Sequence, residues 1–427
     1  MYYISDIVIN GFWQRGTINC KFFDDVNIII GKNGSGKTTF INLLINVLTC
    51  DLKELADSDF EDISIKLVNE KSSKTIKVHK EYKSNLDLPL IIFQVSQRKF
   101  TFNLRRYSER MLVMRRFETS DGYQELKEIL DGIINVESLS VYRLRNDDDY
   151  EILERGKREI VSPVDFKLIS VMNRLVSYQL ELTQDANKIS ETLRKEVLSS
   201  FLYDGSPINK NNTLSNGKIK INFERRQEKT KLLNAFKQLN AFDKNVEKKI
   251  DNHLNQIESL LLNQKDSQNR TTESITQLLA LVDSLTKTNL IVEKSIEAES
   301  SIDKVFQPMT DFLGLLEEFT EDKKFEINQH GLVIKNKFGD IVDIELLSSG
   351  EKQLIVLFAE ALLQKNSQNI YITDEPEISL HISWQKKIIP SIIKLNPNAQ
   401  IIVATHSPEI ASFQKDKIIN MRGLFNG

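Results

Sequence analysis

The most chemically loaded stretch of the chain is GKNGSGKT, from Gly31 to Thr38. It fits GxxxxGK followed by Ser or Thr at every fixed position. It follows the apolar run VNIII and opens a helical pattern, the context such a loop needs to hold phosphates. Gly31, Gly34 and Gly36 let the backbone wrap phosphates without Cβ clashes, so that loop N–H groups donate to a β-phosphate. Lys37 is expected to reach the β- and γ-phosphates, and Thr38 to place its hydroxyl on Mg²⁺. Asn33, Ser35 and Thr39 complete the expected nucleotide-contacting set.

A second stretch, LSSGEKQ (347–353), runs into the helical pattern LIVLFAEALL. Ser348, Ser349 and Gly350 cap that helix, with Glu351 in its first turn. A helix start has free N–H groups and a partial positive charge, which makes it an anion site. Why one chain carries two phosphate cradles is the first question its sequence raises.

Two strand ends supply the remaining chemistry. NIYITDEPE (369–377) is an apolar strand ending in carboxylates, and functional groups in parallel α/β sheets sit at the carboxyl ends of strands. Asp374 is placed to hold Mg²⁺ through water. Glu375 is placed to polarise an attacking water, worth about 10²–10⁴-fold in rate. IIVAT (401–405) is another apolar run, and His406 follows it where it could contact a γ-phosphate. His381, in LHISWQ, carries a weaker signal. Taken alone, two acids after a strand are a solvated turn and a lone His is structural. Downstream of a phosphate loop those odds invert.

The elements that must position these residues fall into three blocks. Residues 1–50 read strand, strand, strand, loop, helix, from YISDIVINGF, TINCKFF and VNIII. ISIKLVN and TIKVHKEY predict a hairpin over 63–82, LIIFQV (90–95) and SLSVYRLR (138–145) further strands, and the segment between them is read as basic and helical. From about Val164 to Phe319 helical patterns dominate. Phe236, Leu239, Phe242, Val246, Ile250, Leu254, Ile257 and Leu261 recur every three or four residues, one face of a single amphipathic helix. Ile275, Leu279, Val282 and Leu285 begin another. DGSPINKNNTLSNGK (204–218) reads as a loop. From Lys324 strands return as FEIN, GLVIKN and IVDIEL.

Bulk properties set limits. The 427 residues exceed what one core comfortably holds, so two or more lobes are expected. A net charge of −3 gives no global attraction to nucleic acid. The two cysteines, Cys20 and Cys50, form neither a disulfide framework nor a metal motif. With no signal-like N-terminus and no run of eighteen apolar residues, a cytoplasmic chain without a membrane partner is expected.

The four motifs together resemble the ABC-type ATPase heads: GKNGSGKT is similar to Walker A, LSSGEKQ to the signature, IYITDE to Walker B and His406 to the switch histidine. The resemblance covers about residues 1–150 and 324–420, and the order of the motifs matches. It implies an α/β fold, a head of mixed and parallel sheet with an antiparallel β-subdomain, split by an α-helical insertion. The implied domains are an N-terminal lobe at 1–150, the insertion at 151–323 and a C-terminal lobe at 324–427. It also implies ATP and Mg²⁺ as cofactors, and hydrolysis to ADP and phosphate. Two heads would stack head to tail, each signature meeting the ATP of the other, so that Ser349 and Gly350 contact a γ-phosphate in trans. That accounts for the second cradle.

DEPEISLHISWQ and THSPEI resemble the RecF/SMC/OLD branch, whose usual form is DEPExxLHPxxQ; here Ile382 replaces the proline. Arg15 lies where this branch often places an arginine near the nucleotide. The Q-loop glutamine stays open between Gln94 and Gln97, with Arg143 and Arg145 as substitutes. The insertion is too short for the long coiled coils of chromosome-organising ATPases, and no nuclease motif is expected after His406. A head of this kind is most similar to the ATPase subunits of anti-phage systems, the Septu type first, with PARIS-type and retron-associated ATPases as rivals. The resemblance implies a homodimer or higher oligomer with a partner effector nuclease, HNH favoured and Toprim-like the alternative. The competing expectation is a DNA-repair or chromosome-maintenance ATPase that clamps DNA. Arg105, Arg106, Arg110, Arg115 and Arg116, interleaved with Tyr107 and Phe117, would grip the strand. Their plainer reading is a solvated basic helix face.

Overall fold

The computed structural model describes residues 2–82, 89–103, 121–134, 136–138, 150–154, 157–199, 224–239, 242, 244–263, 272–328, 331–365 and 367–426. The chain opens with β1 (Tyr3–Phe12), β2 (Gly16–Lys21), β3 (Val26–Ile30), α1 (Lys37–Leu48) and α2 (Leu52–Asp57). There follow β4 (Asp62–Val68), β5 (Ser73–Glu81), β6 (Leu90–Val95), β7 (Arg98–Asn103), α3 (Asp121–Ile133) and β8 (Val136–Ser138). A two-stranded ribbon, β9 (Tyr150–Glu154) and β10 (Lys157–Val161), leads into α4 (Pro163–Ser199), α5 (Arg225–Gln238), α6 (Lys244–Asn263) and α7 (Thr272–Thr320). The last part comprises β11 (Lys323–Asn328), β12 (Gly331–Asn336), α8 (Ser349–Leu363), β13 (Ile370–Asp374) and α9 (Ile382–Leu395). It ends with β14 (Gln400–Ala404), α10 (Pro408–Ala411), β15 (Ile418–Asn420) and β16 (Phe425–Asn426).

Two sheets share one core. The first is antiparallel, in the order β16-β2-β1-β4-β5-β6-β7. Its strands alternate: Ile63, Ile65 and Leu67 of β4, Ile76 and Val78 of β5, and Ile91, Phe93 and Val95 of β6 are buried on one face. The second is parallel, in the order β15-β3-β14-β13-β8. Its β14 is buried at every position, as a strand covered on both faces must be. α1 lies against β13, β14 and β8, and Phe40, Leu43, Leu44 and Val47 join Ile370, Ile372 and Ile402 in the main core. Tyr371 points the other way, and its hydroxyl donates to the Leu357 carbonyl of α8 at 2.9 Å. Gln400 stitches the sheets: its amide donates to the carbonyls of Ile4 (2.8 Å) and Phe23 (2.7 Å) and accepts from the Ile4 N–H (2.8 Å).

α8 is held from its far side by charge. Glu360 is fully buried and pairs with Lys167 and Arg174 of α4, each at 2.7 Å. Lys352 pairs with Asp165 at 2.8 Å.

By contact density the chain divides into two units, residues 1–176 with 311–427, and residues 177–310. The second unit lies inside the stretch read from sequence as the helical insertion. Its small core joins Leu232 of α5, Ile250 and Leu254 of α6 and Val292 of α7.

Three sequence expectations change. The single amphipathic helix over 236–261 is two helices, because α5 ends at Gln238 and α6 begins at Lys244. Folding back lets Leu232 meet Ile250 and Leu254 and lets Lys229 pair with Asp251 at 2.8 Å. IVDIEL is not a strand: after an isolated bridge at Ile341, residues Ile344–Leu346 form a 3₁₀ turn with no buried side chain. The basic segment after β6 begins as β7, whose alternating Phe100 and Phe102 extend the antiparallel sheet. Of the strand expected at 138–145, Ser138 belongs to β8 and residues 139–145 lie outside the described residues. The arginine patch at 105–116, the 204–218 loop, Arg143 and Arg145 lie outside the described residues. No helix among the described residues is long and apolar enough to cross a membrane.

Candidate active site

β3 ends at Ile30, and the GKNGSGKT loop turns the chain into α1 around a cleft of about 500 Å³. Asn33, Gly34, Ser35, Gly36, Lys37, Thr38 and Thr39 form one wall, and Glu375, His406 and Trp13 face it. The loop needs its glycines. Gly34 and Gly36 sit at φ 73° and 90°, and a Cβ on Gly36 would come within 3.0 Å of the Phe12 ring and 3.1 Å of Trp13.

Lys37 is the first helical residue and is 3% exposed. Its amine donates to the Gly31 carbonyl at 2.9 Å and lies 2.5 Å from His406 Nε2. Burial pushes the amine below its ordinary range, while Glu375, Asp374 and Glu377 pull it back up without fully cancelling the effect.

The acidic loop is under backbone strain. β13 ends at Asp374, and Glu375 adopts a left-handed φ of 49° while its N–H donates to Ala404 O at 2.7 Å. Its Oε1 lies 3.7 Å from His406 Nε2. The neighbouring loop is pinned by Glu377. One oxygen of that carboxylate accepts from Thr405 Oγ1 (2.6 Å), the His406 N–H (2.7 Å) and the Ser407 N–H (3.1 Å). Ser407 Oγ in turn donates to Gln385 Oε1 at 2.7 Å, and Gln385 Nε2 donates to Leu380 O at 3.1 Å. His381 caps α9, accepting from the Ser383 N–H at 3.3 Å.

The second cradle stands apart from this cleft. α8 begins with a reciprocal capping box: Ser348 Oγ accepts from the Glu351 N–H at 3.3 Å, and Glu351 Oε2 accepts from the Ser348 N–H at 2.8 Å. Partial burial pushes the Glu351 carboxyl up, but Lys323, at 2.7 Å, and Ser348 outweigh it and hold it below its ordinary range. Ser348 and Ser349 are exposed, whereas Gly350 is buried. Arg15 also lies outside the cleft wall, its guanidinium 5.8 Å from the Trp13 ring. Gln94, on β6, donates to Ser96 O at 2.9 Å, and Gln97 occupies the β6–β7 turn; neither lines the cleft.

Lys37, Thr38, Glu375 and His406 thus meet in one place, while Ser348, Ser349, Gly350, Glu351 and Arg15 do not. Trp13, Glu377, Gln385 and Gln353 escaped the sequence reading; the second Glu of DEPE and the Gln closing LSSGEKQ were the available signals. Thr38 offers an exposed hydroxyl in the cleft and Asp374 a carboxylate at the adjacent strand end. These are hard oxygen donors of the kind Mg²⁺ takes together with water and phosphate oxygens, so the residues fit that ion.

The family model described as AAA ATPase domain, AAA_15, matches residues 2–411. The chain is 25% identical over 334 residues to the Retron Vc95 probable ATPase of Vibrio cholerae serotype O1 biovar El Tor, spanning 68% of this chain and 61% of that protein. It is 30% identical over 118 residues to the Septu protein PtuA of Bacillus thuringiensis, spanning 25% of this chain and 30% of that protein. Each match therefore covers less than two thirds of the relative's own length. Among solved structures, the Smc head domain with an extended coiled coil bound to the C-terminal domain of ScpA, derived from Pyrococcus furiosus, aligns at a TM-score of 0.48 and 16% identity. That alignment covers 98% of this chain and 93% of that one.

Proposed function

The chain belongs to the AAA_15 family of AAA ATPase domains, and from that premise we propose that it binds and hydrolyses ATP in the cleft at the start of α1. We further propose that it does so as the ATPase subunit of a bacterial anti-phage defence complex. The observation that carries the catalytic part is the meeting of Lys37, Thr38, Glu375 and His406 around one helix N-terminus.

The loop N–H groups and the α1 dipole bind the β-phosphate. Lys37 exchanges its contacts with Gly31 O and His406 for the β- and γ-phosphates, whose negative charge favours the charged form that burial disfavours. Thr38 and Asp374 would hold Mg²⁺, which when bound would neutralise charge developing on the phosphate oxygens. Glu375 orients a water and takes its proton as the water oxygen bonds to the γ-phosphorus. The β–γ bridging bond breaks, ADP leaves with the electron pair, and Lys37 stabilises the charge it carries. His406 steadies the γ-phosphate.

Ser348 and Ser349 lie outside the cleft of their own chain, so the phosphate they would bind belongs to a second copy. This supports a head-to-tail homodimer with ATP between the heads. Similarity to a retron ATPase and to PtuA supports the defence role. By the same resemblance the complex includes an effector nuclease, HNH in preference to Toprim-like, whose action ATP turnover regulates. The test is to express the tagged chain with its flanking genes and weigh what co-purifies by native mass spectrometry. A nuclease in fixed ratio is expected; a lone chain that binds DNA with a steep salt dependence would overturn the reading in favour of a DNA clamp.

A further inference from the structure

The seventh residue of LSSGEKQ has no place in the mechanism above, yet it is among the most tightly enclosed polar groups of the fold. Gln353 is 2% exposed in the second turn of α8. Its Nε2 donates to the carbonyl of Pro376 at 3.0 Å. Its Oε1 is buried and finds no partner among the described residues. A half-satisfied buried amide is a cost that an aliphatic side chain of the same length would avoid, so its single bond calls for a reason.

Pro376 directly follows Glu375. Three residues further on, the same loop meets α8 a second time, because Gly350 faces Ser379 so closely that a Cβ there would lie 2.6 Å from the Ser379 carbonyl oxygen. Glu375 and Ser379 both have left-handed φ, 49° and 66°. The strained turn that carries the carboxylate is therefore held on one side by Ala404 and on the other by the opening turns of α8. Those turns also present the exposed Ser348 and Ser349.

We propose that Gln353 is a positioning residue for Glu375. It ties the helix start where a second copy's nucleotide docks to the backbone that aims the carboxylate in this copy's own cleft. Phosphate bound at Ser348 and Ser349 is thereby registered at Glu375 of the same chain, and the two sites of a dimer turn over in concert. This rests on the reading of Glu375 as the water-orienting group and of the α8 start as the trans cradle.

The test compares Gln353→Met, which keeps length and loses the donor, with wild type, Glu375→Gln and the double variant. For Gln353→Met, kcat is expected to fall about tenfold, as when one hydrogen bond is lost, with KM for ATP, ATP affinity and thermal midpoint unchanged. In the Glu375→Gln background the same substitution is expected to change single-turnover hydrolysis less than twofold. A wild-type kcat in Gln353→Met, or a full tenfold further loss in the double variant, overturns the proposal. Wild-type turnover in Glu375→Gln would instead sink the catalytic assignment. Should Gln353→Met not fold, hydrogen exchange on the intact protein decides. With a non-hydrolysable ATP analogue, residues 375–380 are expected to gain protection together with the α8 start. Ser349→Arg should abolish that gain while leaving the gain at 31–39. Protection of 375–380 that survives Ser349→Arg overturns the coupling.

Discussion

Glu377 shows how much of a site can hang on one oxygen atom. Three consecutive residues, Thr405, His406 and Ser407, donate to its Oε1. Hydrogen bonds to a charged acceptor are worth about 1.5–3 kcal/mol each, so Glu377→Ala is expected to release the 405–407 turn and lower kcat about 10–100-fold. Glu377→Gln, whose amide oxygen still accepts, should retain most of the activity; steady-state kinetics with KM and kcat resolved would check the order. Lys37→Ala is expected to abolish nucleotide binding in a titration with labelled ATP. Glu375→Gln should bind ATP and hydrolyse it roughly 10²–10⁴-fold more slowly. At this scale the sequence was most legible where the chemistry is local. Lys37 and Thr38 are set by eight contiguous residues, and Asp374 and Glu375 by a strand end. Glu377 and Gln353 were illegible because their partners lie 23 to 30 residues away and depend on how β14 and α8 pack. His381, a weak signal in the sequence, is a helix cap.

Among the elements, two junctions carry testable energetics. The first is the end of α2, where Lys80 of β5 donates to Ala56 O at 3.1 Å and to Ser58 O, with the Phe60 ring 4.3 Å from its amine. Burial pushes this amine down to about 8 from 10.5, against the opposing pull of Asp59 and Asp57. The folded state therefore releases the proton before the unfolded state does, and stability rises as pH climbs from about 8 towards 10.5. Denaturant melts are expected to show wild type gaining on the order of 1–2 kcal/mol relative to Lys80→Met across that window. A flat difference would contradict the assigned burial. The second junction is α8 against the acidic loop. Gly350→Ala would drive a methyl onto the Ser379 carbonyl, and overpacking of this kind typically costs about 1–3 kcal/mol. A lowered melting temperature together with reduced turnover is the expected pair. Strands with clean alternation, such as β4 and β5, could be read from the sequence. IVDIEL could not, because its alternation matches a strand while, among the described residues, no neighbour offers a ladder beyond the bridge at Ile341. Nor could the turn inside 236–261, since helical periodicity continues across it and only packing reveals that the chain folds back.

At the scale of the whole molecule, the order of the motifs made the α/β head and its family legible, because a phosphate loop, a capped helix and two acid- and histidine-bearing strand ends must converge on one parallel sheet. What spacing could not show is that the capped helix start stays out of its own cleft while remaining joined to the acidic loop behind it. That separation is why a second copy is required by this account, and it makes association the quantity to measure. Light scattering on Glu375→Gln, with and without ATP and Mg²⁺, tests it most directly, with Ser349→Arg in the same background as control. The account predicts that ATP doubles the mass of the assembling unit in Glu375→Gln and that Ser349→Arg prevents this while ATP still binds. Equal mass with and without ATP in the presence of demonstrated binding, or ATP-driven association that ignores Ser349→Arg, would contradict it.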